Sequence, residues 1–121
     1  MTIQMDESGT ISIFQGDTGE VIISGLNPDY DYNVYFAIRD ENGVLMGDEL
    51  SVQSNFSDTV TFMLPASLTD TLTVPVGDNY AIYYYGVKKN AVGTNEEDTL
   101  IPELGGQKPF IVYRKVVEGR V

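Results

Sequence analysis

The sequence contains no cysteine, no histidine and no tryptophan. Without cysteine there is no disulfide, no thiolate nucleophile and no Cys-based zinc or iron–sulfur site. Without histidine the commonest general base and the commonest transition-metal ligand are missing. Positive charge is scarce as well: seven Lys and Arg stand against eighteen Asp and Glu, a net charge of −11. Such a chain repels phosphate backbones and anionic lipid surfaces, which argues against nucleic acid and membrane as partners. No apolar run is long enough to span a bilayer. Residues 1–9 carry neither a basic nor an apolar stretch, so they are expected to be a plain N-terminal tail with no signal peptide.

The whole chain of 121 residues is 42% hydrophobic and 21% charged, the balance of one globular domain. Their patterning has a period of two. Thr10 to Phe14, Glu20 to Ser24, Tyr32 to Arg39, Thr59 to Leu64, Tyr80 to Val87 and Phe110 to Val117 all read as strands. Val44 to Met46 and Leu50 to Val52 read as a return strand interrupted at Gly47. Pro65 to Leu72 is the exception and reads as a short helical turn near 66–72, with Ser67 as its cap and Asp70 three residues on. Residues 89–109, with Gly93, Pro102, Gly105, Gly106 and Pro109, read as a long loop carrying a short strand at Thr99-Leu100-Ile101. The expected fold is all-β: an antiparallel, Ig-like β-sandwich of about seven strands over residues 10–118, with a small barrel as the alternative and a C-terminal tail at 119–121.

The charge is uneven along the chain. Residues 1–87 hold thirteen acids and one base, Arg39, whereas residues 88–121 hold six bases and five acids. A solvated acidic face with a basic last quarter explains this, and so does packing of modules acidic face to basic end through Lys88 and Lys89.

Few residues offer chemistry. Gln15-Gly16-Asp17-Thr18 reads as a structural turn, with Gly16 allowing a left-handed backbone and Asp17 and Thr18 bonding its amides. Asn42-Gly43 reads as a tight hairpin turn with positive φ. Tyr83, Tyr84 and Tyr85 are consecutive, so a strand points them to both faces, and the sequence leaves open which parity faces inward. Tyr83 and Tyr85 with Tyr35 and Tyr113, joined by Lys88 and Lys89, are the candidate interaction surface. Asp29, Asp31 and Asn33 have calcium-like spacing but lack the loop glycine and the later glutamate. Carboxylate pairs are the only catalytic option and none lies in a motif, so neither an enzyme nor a cofactor nor a metal is expected.

Two resemblances add to this. Leu26, Pro28, Tyr32 and Val34 resemble the corner of fibronectin type III domains, which makes Tyr32 the expected corner tyrosine, bonded back to the backbone. Ile11 to Gly19, a β-run, and then Tyr35 to Gly43 resemble the N-terminal β-sandwich modules of bacteriophage tail and baseplate proteins, such as the baseplate upper protein family. Leu64 to Leu68 and Tyr84 to Val87 resemble their continuation. That resemblance implies a non-catalytic virion component, made in the bacterial cytoplasm, whose partners are other virion proteins or further copies of itself. A carbohydrate- or cell-surface-binding Ig-like module, with glycan as partner, is the alternative.

Overall fold

The computed structural model describes residues 9–101 and 108–115, and the backbone alone of 4–5. Half of this is strand and very little is helix. In chain order the elements are β1 (Gln4–Met5), β2 (Ile11–Phe14), β3 (Gly19–Ser24), β4 (Tyr32–Arg39), β5 (Leu50–Gln53), β6 (Thr59–Leu64), α1 (Ala66–Thr69), β7 (Tyr80–Ala91), β8 (Glu97–Ile101) and β9 (Lys108–Tyr113). The all-β class is as expected.

The strands form two sheets. The larger sheet runs β1-β2-β9-β7-β4-β5, with β8 beside the second half of β7. The smaller is β3 paired with β6. Alternation decides which side chains meet between them: Val21, Ile23, Val60, Phe62 and Leu64 from the small sheet face Ile11, Ile13, Val34, Phe36, Ile38, Tyr85, Val87, Phe110 and Val112 from the large one. Phe36 and Phe62, one from each sheet, meet at a ring separation of 5.5 Å. Each such buried side chain contributes roughly 1.5–3 kcal/mol.

Several expectations change. The large sheet is mixed, not antiparallel, because β2 pairs in parallel with β9 through Ile11–Phe110, Ile13–Val112 and their neighbours. The strand read at Thr99 to Ile101 is present, but the rest of the 89–109 segment is not a long loop. β7 continues to Ala91, turns at Gly93 (φ +83°), and returns as β8, where Asp98 sits opposite Lys89 and Glu97 pairs with Lys88 at 3.9 Å. Cross-strand pairs of opposite charge support that hairpin, a signal the loop-like composition hides. Of that segment 102–107 lie outside the described residues, as do 1–3 and 6–8 of the N-terminal tail, the C-terminal tail 119–121, and 116–118 before it. The last strand, read as Phe110 to Val117, runs from Lys108 to Tyr113, and Val116 and Val117 fall among those undescribed residues. Within the expected tail, Gln4–Met5 pairs with β2. Val44 to Met46 adds a single bridge, Arg39 to Leu45, in place of a strand.

The turns follow their chemistry with adjustments. Helix α1 begins from Pro65, not from a Ser67 cap, and has no side-chain cap. At the second hairpin Gly43 alone takes positive φ (82°), and the Asp40 carboxylate accepts from the N–H groups of Asn42 and Val44 at 2.8 and 2.9 Å. This is a turn closed by a left-handed glycine, so Asn42 does not need the left-handed backbone. At Gln15 to Thr18, Gly16 has φ +82° as expected. The bonds that hold the turn are Gln15 N–H to Tyr113 O (2.9 Å), Gln15 Nε2 to Asp70 O (3.2 Å), and the buried Thr69 hydroxyl donating to Asp17 O (2.6 Å). They run from backbone and from α1 rather than from the Asp17 and Thr18 side chains. The segment is a structural corner.

Candidate functional site

Register fixes which residues share the outer face of the large sheet. Opposite one another lie Tyr80 and Tyr113, Ile82 and Ile111, and Tyr84 and Pro109. Phe14 lies opposite Tyr113 on the other side of β9. Further along come Arg39 with Tyr84, Ala37 with Gly86, and Tyr35 with Lys88.

This face has two zones. The first is an apolar patch over β2, β9 and β7. Phe14, Tyr80, Ile82 and Tyr113 are 48, 50, 45 and 38% exposed. The Tyr113 ring lies 5.9 Å from Phe14 and 6.1 Å from Tyr80, so the three rings form one row. No charged side chain lies between the paired positions of this zone. Exposed apolar side chains are common singly, but a contiguous aromatic patch marks a contact surface.

The second zone is a groove of about 450 Å³ over β4 and β7. The small residues Ala37 and Gly86, side by side in register, leave room between Tyr35 and Tyr84. Both signs of charge line it, Arg39, Lys88 and Lys108 with Asp40, Glu41 and Glu49. Arg39 donates to the Gly43 carbonyl at 2.9 Å, which ties the groove's edge to the Asn42-Gly43 turn.

The candidate residues separate accordingly. Tyr35, Tyr113 and Lys88 are on the outer face. Tyr83 and Tyr85 are not: they are 7 and 3% exposed and belong to the core. Their hydroxyls reach the core's edges, Tyr83 donating to Thr73 O at 2.6 Å and Tyr85 to Gly9 O. Buried phenols need such partners, and these two tie the 73 and 9 segments to β7. Theirs is the role the corner resemblance gives to Tyr32, which is fastened through its backbone N–H to the Ser54 hydroxyl at 2.8 Å. Lys89 is half-buried, its Nζ 4.7 Å from the Tyr32 ring centroid. The basic end is engaged internally too: Arg114 donates to the carbonyls of Asp78 and Pro75, and Lys115 pairs with Asp70 at 3.1 Å.

Sequence reading missed Phe14, Tyr80, Ile82, Tyr84 and Ile111. Residues 80–87 are apolar at both parities, and only their register with β9 shows which parity faces out. Asp31 of the calcium-like spacing serves as an acceptor for Gln53 Nε2 and for Asn55 N–H. Among the described residues no group of three or more acids is gathered to hold a metal ion, and no helix is long and apolar enough to cross a membrane. The sequence matches no protein-family model and no curated protein.

Proposed function

We propose that this chain is a non-catalytic assembly module that associates with further copies of itself through the outer face of its large sheet. The observation that carries the reading is the uncharged aromatic row of Phe14, Tyr113 and Tyr80 on a chain of net charge −11. Two copies repel one another wherever acids face acids, and the row is a surface where they do not. The groove beside it carries both signs of charge, so it adds little like-charge repulsion to a two-fold contact. Other protein partners are outcomes of the same test. In sedimentation velocity the wild-type chain is expected to sediment faster as concentration rises, and Ile82→Glu and Tyr113→Glu to sediment as monomers at every concentration. A wild type that stays monomeric, or variants that associate equally well, would overturn the proposal.

The finer architecture we read as Ig-like. Its support is the order β9-β7-β4-β5 opposite β3-β6, which follows a variable-type sandwich with β5 as the extra edge strand. The assembly we read as a phage or prophage tail or baseplate, on the order of motifs from Ile11 to Val87. The glycan-binding reading keeps one supporting observation: Tyr35 and Tyr84 line a groove with polar neighbours. The genes flanking this one decide between them. Tail and portal genes support the virion reading, and a polysaccharide-utilisation neighbourhood contradicts it.

A further inference from the structure

A second cleft lies at the end of the molecule where β4 starts and β5 and β7 finish. It encloses about 590 Å³ and is lined by Tyr30, Phe56 and Val92 together with Asp29, Glu96 and Asp98. All three apolar side chains are exposed. The placement of Phe56 is unusual. Ser57 N–H donates to Ser54 O at 3.1 Å, and the two residues between them have φ of +54° (Asn55) and +62° (Phe56). A turn of this kind usually carries glycine at its second central position. Here a phenylalanine takes the left-handed backbone, and its ring stands 61% exposed on the cleft. The Asp31 carboxylate holds the turn by accepting from Asn55 N–H at 2.9 Å. No ion pair among the described residues uses Asp29, Glu96 or Asp98. At the same end, Lys89 already sets an ammonium over the ring of Tyr32.

We propose that this cleft binds an arginine side chain presented by a basic segment of a partner protein. A guanidinium matches both kinds of wall. Its flat face stacks on an aromatic ring, and its fork of N–H donors pairs with a carboxylate. Charge complementarity selects the occupant, because the carboxylates repel an anionic ligand and gain nothing from an apolar one. This site is on a different surface from the sheet face above and stands or falls separately.

The test is a titration of the whole chain with an arginine-rich peptide, followed by calorimetry and by amide NMR. The peptide is expected to bind more weakly as salt rises and to shift the amides of 29–32, 54–57 and 91–98. The deciding variant is Phe56→Gly, which removes the ring and suits the left-handed backbone. It is expected to unfold at the same or higher denaturant concentration and to bind at least about tenfold more weakly. Asp98→Asn is expected to weaken binding as well, and a lysine peptide of equal length to bind less tightly than the arginine one. Binding unaffected by Phe56→Gly, shifts spread over the whole acidic surface, or no binding at low salt would overturn the proposal.

Discussion

Single atoms decide several positions. Gly47 has φ +68°, and a β-carbon there would lie 2.3 Å from Leu68 Cδ1. Leu68 is buried from the one turn of α1, so the bend before β5 and the helix after β6 pack at a place only glycine fits. Gly47→Ala is expected to cost about 1–3 kcal/mol, from the left-handed backbone and from the overlap together. Urea unfolding would show this as a lower midpoint with an unchanged slope. The glycine was legible in the sequence as a bend, but its neighbour was not, since Leu68 is twenty-one residues away. The tyrosines teach the same lesson. Their alternation was plain, yet which of Tyr83, Tyr84 and Tyr85 faced outward depended on partners at Thr73, Gly9 and Pro109.

Among elements, β7 organises the molecule. Its first half pairs with β9, its second half with β8, and β4 runs along its other edge. The pairing with β8 shifts register between Val87 and Lys88, just beyond the end of β9's pairing at Tyr85. That change of partner sits beside Gly86 and opens the groove. Behind it, Phe36 of β4 packs between Phe62 and Tyr85, at ring separations of 5.5 and 5.6 Å, and is fully buried. Phe36→Ala is expected to destabilise the fold by about 3–5 kcal/mol, measured by thermal or denaturant unfolding. Most strands were legible because one face is buried and the other wet. Two features were not. The parallel β2–β9 pair joins residues about a hundred positions apart, and no local pattern distinguishes a parallel from an antiparallel edge. The other is the start of β8: Thr99 to Ile101 read as strand, but Glu97 and Asp98 before them are acidic and exposed, and it is Lys88 and Lys89 beside them that favour the extended pairing.

For the whole molecule, the uneven charge takes on a different meaning in three dimensions. Four described bases of the last quarter are engaged within the fold. Lys88 faces Glu97, Lys89 lies over Tyr32, and Arg114 and Lys115 hold the 70–78 segment. Among the described residues, contact of acidic face with basic end therefore has few cations to spare, whereas the outer face of the large sheet presents an uncharged row. The two modes respond to salt with opposite sign. Salt screens the repulsion between −11 chains and leaves apolar burial in place, so association through the sheet face tightens as salt rises. A contact made by opposite charges loosens. Sedimentation velocity of the wild-type chain at low and high salt is thus the most direct test of the account. Faster-sedimenting species at high salt, abolished by Ile82→Glu, are the predicted result. Association that weakens with salt, or persists in Ile82→Glu, would contradict it.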